Sequence, residues 1–468
     1  MRKFIISSAF FALTITSYAQ SLGYQELALL FSQDAANTTA RAAAMGGAFG
    51  ALGGDISVMN INPAGLALFN NSYFSGSFNS RNTAIESNYY GTSINTENQF
   101  FKISQAGAVL VFKSAKKSDW SKFVLGINYR ITKDFSNSFN ASGNSGIATF
   151  TEYPLDANEV PLNYDQAQEQ SFNTNYLGDK SEINIAFSSI HKEKLYVGAS
   201  LNFYDLNFSQ KSTLVELNDD IDGNELDALL YQENKTTGGG FSLNAGFIYK
   251  AHKNFRFGLS YQTPTLFSEV LEETNIVDND GFMGDTEIIV SNTATIYDNT
   301  AGGYFPSQRF IYTLKTPSKL TASAAFIFNK RGLLSIDYSN KKYQNIKLSN
   351  ANFSNENQFF QNELRNTHAW NIGSEWRFSN LSIRGGYRFE QAPLATALDS
   401  DNLEGYSFGG GYNFGNFKLD FAYSNNNRTS FYNAYSNYST KLAQFPSVNS
   451  IELQADNRIF TTTLTISL

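Results

Sequence analysis

Apolar and polar residues alternate one by one in many stretches after residue 71. From Leu195 to Phe203, for example, every second residue is apolar, and Tyr, Gly, Ser and Asn lie between them. Such alternation is typical of β-strands, because successive side chains point to opposite faces of a sheet. Pro317, inside one stretch, is interpreted as a bulge. Fourteen strands are predicted, at residues 72–80, 98–113, 121–136, 181–190, 195–216, 239–250, 254–270, 310–328, 333–349, 365–378, 381–391, 404–414, 417–428 and 457–468.

The connections between these strands alternate in length. Short links are predicted at 114–120, 191–194, 251–253, 329–332, 379–380 and 415–416, and long ones at 81–97, 137–180, 217–238, 271–309, 350–364, 392–403 and 429–456. Short turns on one rim and long loops on the other are typical of outer-membrane barrels. We therefore predict an all-β protein, a 14-stranded antiparallel transmembrane β-barrel over residues 71–468, closed by pairing of the last strand with the first. A secreted β-sandwich or propeller is the alternative.

The first nineteen residues have the features of a secretory signal peptide. Arg2 and Lys3 precede an apolar stretch, and small residues stand at positions 17 and 19, before a predicted cut at Gln20. Beyond residue 19, no run reaches the length of apolar residues that a membrane helix needs. A chain that spans a membrane must then do so as a closed barrel. We predict export to the outer membrane of a Gram-negative bacterium, with 41 Phe and 26 Tyr available for aromatic girdles.

Little in the sequence indicates catalysis, a metal or a cofactor. There is no cysteine, and His191, His252 and His368 lie too far apart in sequence for a metal or triad spacing. Removing the signal peptide leaves 33 basic against 42 acidic residues, which argues against a nucleic-acid partner. Two acidic pieces, 218–223 and 278–285, resemble the opening of a calcium loop, but Leu229 stands where the first needs its bidentate acid. Asx turns are the favoured interpretation.

Residues 20–70 differ from the rest of the chain. A short amphipathic helix is predicted before residue 40, with a disordered leader as the alternative, and the stretch 40–69 that follows is rich in Ala and Gly and nearly free of charge. It ends in Asn62-Pro63-Ala64-Gly65, where proline prevents a continuing helix or a central strand. With six glycines, this stretch should be ordered only where other structure encloses it.

This stretch resembles the amino-terminal hatch of the FadL/TodX family of outer-membrane β-barrels. The resemblance lies in Arg41-Ala42, Met45-Gly46-Gly47-Ala48-Phe49, Asp55 and Asn62-Pro63-Ala64-Gly65-Leu66. It implies that residues 20–70 form an N-terminal hatch plugging the lumen, and that the protein passively transports hydrophobic small molecules of the long-chain fatty acid type. The resemblance also implies a lateral exit into outer-membrane lipid and hatch-gating residues Asn62, Pro63, Ala64, Gly65, Gly46 and Gly47. Leu468 departs from the aromatic C-terminal residue that is usual in such barrels.

A substrate groove is predicted in the long connection at 217–238. Leu226, Leu229 and Leu230 would share one helical face there, and the family resemblance implies that substrate first lands on this loop and on 271–309. Alternatively, the leucines pack the loop against the barrel rim.

Two further functions remain open. The barrel could be a non-transporting subunit of an outer-membrane secretion or assembly complex, with the Asn- and Tyr-rich residues 430–440 contacting a partner protein. A soluble adhesin is the third possibility.

Overall fold

A computed structural model describes most of the chain beyond the predicted signal peptide, which lies outside the described residues. The described residues are 22–35, 37–114, 118–148, 152–153, 162–163, 166–223, 225–278, 288–289, 296–297, 308–329, 331–434 and 449–468. Most of the second acidic piece, from Asp280 to Asp285, and most of the Asn- and Tyr-rich stretch 430–440 therefore lie outside them.

Fourteen antiparallel strands form a closed barrel, which confirms the predicted fold. Four of the wall strands are each built from two pieces instead of one uninterrupted stretch. The strands are β1 (Tyr73–Tyr89), β2 (Thr92–Lys113), β3 (Trp120–Asp134 and Asn137–Gly143), β4 (Gln166–His191), β5 (Leu195–Asp219), β6 (Glu225–His252), β7 (Phe255–Gln262 and Leu266–Asp278), β8 (Gln308–Lys315 and Lys319–Phe328), β9 (Gly332–Lys341 and Lys347–Ser349), β10 (Thr367–Phe378), β11 (Leu381–Glu390), β12 (Leu403–Asn413), β13 (Phe417–Tyr432) and β14 (Ile451–Ser467).

The first and last strands close the wall. The β1–β14 ladder runs from Tyr73 opposite Ser467 to Asn88 opposite Glu452, so neither strand leaves an exposed edge along this length. Pro317 lies in a short interruption of β8, where proline cannot donate to a ladder. The neighbouring strand β7 is interrupted at the same level, and Thr265 N donates to Thr316 Oγ1 while Thr316 N donates to Thr265 O. Each break therefore provides hydrogen-bond partners for the backbone of the other.

Strands extend further than the alternation predicted. The connection predicted at 81–97 is wrong, because β1 and β2 continue to a two-residue turn at Tyr90-Gly91. Both turn residues have positive φ, 42° and 85°, as tight hairpin turns require. The connection predicted at 217–238 is wrong for the same reason, since β5 and β6 meet around residues 220–224. These extensions are polar on one face or both, so alternation does not reveal them.

The helix predicted around Leu226 is also wrong. Leu226, Leu229 and Leu230 belong to β6, where they pair with Asn218, Val215 and Leu214 of β5. Backbone pairing with β5 decides the conformation, because three leucines at this spacing fit a short helix and a strand equally well. The turn that precedes them is an Asx turn as predicted, with Asp222 N donating to Asp220 Oδ1.

The wall is apolar outside and polar inside. On β4, Ile183, Ile185 and Phe187 face outward and are 43–47% exposed, while Asn184 and Ser188 on the opposite face are fully buried. An outward band of this kind suits lipid, and inward polar groups suit an aqueous lumen. Among the described residues, no helix has the length and apolar character needed to cross a membrane.

Helices occur in the N-terminal region and in the connections. The N-terminal ones are α1 (Tyr24–Ser32), α2 (Ala40–Ala44), α3 (Val58–Ile61) and a 3-10 helix at Pro63–Leu68, and α1 confirms the helix predicted before residue 40. The connections contain α4 (Ser354–Asn362), 3-10 turns at Tyr343–Asn345 and Asp399–Asp401, and two short hairpins, Glu152–Tyr153 with Leu162–Asn163 and Ile288–Ile289 with Ile296–Tyr297.

Candidate functional site

Residues 22–70, called the N-terminal segment below, contact wall strands on all sides of the ring. Ala40 N donates to Thr463 Oγ1 of β14, and Phe49 N and Gly50 N both donate to Asp337 Oδ2 of β9. Ala67 N donates to Ser188 Oγ of β4. Because β4, β9 and β14 are spread around the barrel, a segment that bonds to all three lies within the lumen. Inward polar side chains thus satisfy backbone groups that the irregular segment cannot pair internally.

Asn62, predicted to anchor a hatch, ties three parts of the structure together. Its side chain accepts from Ala64 N at 3.2 Å and so caps the 3-10 helix that begins at Pro63. The amide Nδ2 donates to Gly50 O at 2.8 Å and to Phe247 O of β6 at 3.0 Å. Gly65 lies against Leu52, whose carbonyl oxygen would be 2.6 Å from an added Cβ. The Asn62–Gly65 motif therefore fixes the fold of the segment and one contact with the wall.

The other predicted gating residues, Gly46 and Gly47, form the turn after α2. Both have positive φ, 62° and 81°, which disfavours other residues. Gly46 N donates to Ser407 Oγ of β12, and an added Cβ on Gly46 would lie 2.7 Å from Tyr387 O of β11. The turn therefore reaches the wall without room for a side chain.

Glycines on the wall strands repeat this close fit from the other side. A Cβ on any of eight inward glycines would collide with the N-terminal segment; at Gly198 it would lie 2.5 Å from Ala64 N. A glycine inside a strand often marks the close approach of another backbone, so these glycines are a sequence signal for the contact. The eight are Gly107, Gly126, Gly198, Gly246, Gly258, Gly373, Gly386 and Gly409.

An ion network also joins the segment to the wall. Arg41 Nε lies 2.7 Å from Glu375 Oε2 of β10, and Glu375 is fully buried. Arg384 bridges Glu375 and Asp420, and Arg377 provides a third guanidinium to the same glutamate. The family resemblance includes Arg41. Its partner, Glu375, lies 334 residues away in the sequence, and no local sequence pattern around Glu375 indicates the pairing. The network leaves the buried carboxylate compensated, as such groups require.

A cavity of about 570 Å³ lies beside α1. Its walls come from α1, the outer halves of β1, β2 and β3, the β11–β12 connection and β13. Predominantly apolar linings of this size are typical of small-molecule sites. The apolar lining residues include Leu22, Leu29, Leu30, Ile85, Phe100, Ile131, Phe135, Phe139, Phe208, Phe359, Leu394, Leu403, Phe431 and Ile459.

Two cations in this cavity converge on one oxygen. Lys133 Nζ of β3 and Arg428 Nη1 of β13 donate to Gln33 Oε1, at 3.3 Å and 3.2 Å. Neither has a carboxylate at ion-pair distance among the described residues. The other cations of the lining do, since Arg81 and Lys102 bind Asp134. The convergence point is therefore suited to an anionic group.

The end of α1 that carries Gln33 is fixed to the wall by Lys180 of β4. Lys180 Nζ donates to Phe31 O at 2.8 Å and to Gln33 O at 3.0 Å, where a cation is favoured by the helix dipole. It also binds Asp34 Oδ1 at 3.1 Å. Burial alone would raise the pKa of Asp34, but the ammonium groups of Lys180 and Lys341 hold it well below its usual range. The backbone around Gln33 is thus held independently of its side chain.

The wall beside the cavity has an incomplete seam. The β2–β3 ladder begins at Gln105 opposite Arg130 and runs to Lys113, so the outer part of β2 pairs with β1 alone. Side chains bridge this outer part instead, because Asn98 bonds the backbone of Ser138 and Thr96 Oγ1 accepts from Asn140 N. Among the described residues, no group of three or more His, Cys, Asp or Glu side chains is arranged to hold a metal.

Leu226, Leu229 and Leu230, predicted to form a substrate groove, lie on the outer part of β6. Their role in substrate contact remains a prediction.

Comparisons with known proteins were made for sequence and structure. The sequence profile of the family described as outer membrane protein transport protein (OMPP1/FadL/TodX) matches residues 13–465. A FadL homologue of Pseudomonas aeruginosa superposes with a TM-score of 0.60 at 14% identity, covering 92% of this chain and 98% of that chain. The toluene transporter TodX of P. putida gives 0.53 at 14% identity, with coverages of 91% and 97%. The monoaromatic hydrocarbon channel CymD gives 0.50 at 14% identity, with coverages of 92% and 97%.

No curated protein matches the sequence. At 14% identity the solved structures establish a common fold and nothing finer. The profile match is the stronger finding, because it extends over nearly the whole chain and includes both the N-terminal segment and the wall. The chain belongs to the OMPP1/FadL/TodX family of outer-membrane transport proteins.

Proposed function

We propose that the protein passively transports hydrophobic small molecules with an anionic head group, long-chain fatty acids in particular, across the outer membrane of a Gram-negative bacterium. The observation that carries the proposal is the apolar cavity in which Lys133 and Arg428 converge, with no carboxylate of the described residues at ion-pair distance from either. The lining would take the acyl chain, and the two cations would take the carboxylate. Family membership supports the transport of hydrophobic molecules as such.

Burial of the acyl chain would supply most of the affinity. Each methylene removed from water contributes about 0.8 kcal/mol, so chain length should set the strength of binding. The cations would contribute selectivity, because an alcohol of equal length offers them no charge. Binding and release driven by concentration need neither ATP nor an ion gradient, and no catalytic group takes part.

The N-terminal segment would close the lumen, acting as the hatch. A fourteen-stranded barrel is too wide for wall side chains to fill, so an empty lumen would leak. Gating would consist of a shift of this segment about its anchors at Asn62 and Arg41. The outer part of the β2–β3 seam supports a lateral exit, since Phe100 and Phe135 line the cavity on either side of it.

Uptake into liposomes tests the proposal. Purified protein should accelerate uptake of a fluorescent long-chain fatty acid over empty liposomes, and Lys133→Gln with Arg428→Gln should reduce that rate at least tenfold. Arg458→Gln is the matched control, because this arginine bonds Asp456 on the outer face, away from the cavity. No acceleration, together with a stoichiometric partner protein retained in mild detergent, would favour the non-transporting subunit instead.

A second experiment addresses the lateral exit. The natural chain has no cysteine, so any disulfide in the variant forms between the two engineered cysteines. A disulfide between Asn98→Cys and Ser138→Cys should slow uptake until it is reduced, because it closes the bridged part of the seam. Leu110→Cys with Leu125→Cys is the control pair, since these residues already face each other in the β2–β3 ladder. Equal uptake with the first pair oxidised or reduced would rule out exit at this seam.

A further inference from the structure

We infer that Gln33 is a specificity-determining residue that occupies the head-group position when no ligand is bound. Its Oε1 atom stands where the donors of Lys133 and Arg428 meet, and it is the group that a ligand carboxylate must displace. The inference rests on the proposed function, in which these two cations bind the head group.

The chemistry of this arrangement favours exchange. A neutral amide oxygen satisfies one donor from each cation but adds no negative charge, and among the described residues no carboxylate lies at ion-pair distance from either cation. A carboxylate supplies two oxygens and a charge, and charge-assisted hydrogen bonds are about twice as strong as neutral ones. Two nearby carboxylates do not compete with the ligand for these cations. Glu390 is bound to Arg388 and Lys341, and Asp34 is bound to Lys180. The site therefore selects anions over neutral molecules of the same shape.

The displacement needs only a side-chain rotation. Lys180 holds the backbone carbonyl of Gln33 and that of Phe31, so the end of α1 stays in place when the amide leaves. Before ligand arrives, the same amide keeps two like-charged side chains directed at one point. Gln33 therefore holds the two cations in position for a head group. A neutral ligand gains too little from these cations to displace the Gln33 amide.

Glutamate at position 33 should fill the site permanently. In Gln33→Glu the chain itself supplies a carboxylate to both cations, so an incoming anion finds them neutralised. We expect affinity for dodecanoate at about pH 6 to fall at least tenfold, and affinity for dodecanol to change by less than twofold. Gln361→Glu is the matched control, because Gln361 is an exposed glutamine of α4 and is not among the described residues that line the cavity. It should change dodecanoate affinity by less than threefold.

Tryptophan fluorescence or calorimetric titration of the full-length protein in detergent measures both ligands. An unchanged dodecanoate-to-dodecanol affinity ratio in Gln33→Glu overturns the inference, as does an equal fall for Gln361→Glu. If Lys133→Gln weakens dodecanoate binding while Gln33→Glu does not, the inference fails and the proposed function stands. If the natural protein binds neither ligand, the proposed function fails as well. Heat-modifiable migration on gels verifies that each variant is folded.

Discussion

Replacing Arg41 by glutamine should loosen the N-terminal segment from the wall. Arg41 donates two hydrogen bonds to the Glu375 carboxylate and two to the carbonyl oxygens of Gly53 and Gly54. A hydrogen bond to a charged group contributes about 1.5–3 kcal/mol. In the variant Arg384 still neutralises Glu375, so no buried charge is left unpaired. The expected loss is therefore close to one such bond, about 2 kcal/mol, rather than the sum of four.

A cysteine at position 188 provides the measurement. Ser188 is fully buried beneath the N-terminal segment, where its hydroxyl accepts from Ala67 N and donates to Ala64 O. In a Ser188→Cys background a thiol reagent reacts when the segment moves away, so the labelling rate reports the opening equilibrium. A loss of about 2 kcal/mol predicts labelling about 30-fold faster in Arg41→Gln.

The control is Arg458→Gln in the same background. Arg458 also bonds a carboxylate, that of Asp456, but on the outer face, so its loss should leave labelling unchanged. All variants must label at one common rate after unfolding. A labelling rate for Arg41→Gln within threefold of the parent rate would show that the ion network does not hold the segment. It would refute the expected loss of about 2 kcal/mol.

Three further changes test other parts of the molecule. Burial raises the pKa of Glu26, and the nearby Glu356 carboxyl adds to the rise, so the folded protein binds this proton more tightly than the unfolded chain. Stability should fall as pH rises through the raised pKa, and Glu26→Gln should raise the melting temperature at pH 8 but not at pH 4. Ile127→Arg, at an outward position 53% exposed, should cost about 2–4 kcal/mol in refolding into lipid vesicles. Gly198→Leu should push the N-terminal segment from the wall and raise ion conductance in planar bilayers, whereas Gly239→Leu, with open space around it, should not.

The wall could be predicted from the sequence because its signal is local. Lipid outside and polar contacts inside impose a period of two on every strand that crosses the membrane, and residues 195–203 carry that period without interruption. The outer extensions could not be predicted in the same way. Residues 82–88 of β1 are polar or small except for Ile85, so they show no sustained alternation, and only pairing with β2 and β14 identifies them as a strand.

The candidate site was predicted in part. The Asn62–Gly65 motif and the Gly46-Gly47 turn carry local backbone demands, a cap and positive φ, which specific residue types reveal. Lys133, Arg428 and Gln33 carry no such demand. They come together from three distant parts of the chain only after the barrel closes, and each is an ordinary polar residue in its own neighbourhood. Because the site is assembled from distant segments of a closed barrel, no short-range sequence pattern indicates it.

The hydrogen bonds of the wall indicate why a hydrophobic ligand would leave sideways rather than downward. In the proposed arrangement the N-terminal segment, whose backbone is bonded to Asp337, Ser188 and Thr463, would close the lumen below the cavity. An acyl chain that moved downward would break those bonds and expose itself to polar groups. A continuous seam such as β4–β5 would lose one ladder bond after another, each contributing about 0.5–1.5 kcal/mol. The outer β2–β3 seam is held by a few side-chain bonds, among them Asn98 to Ser138, so opening it would cost less than opening such a ladder, and it lies beside the apolar lining.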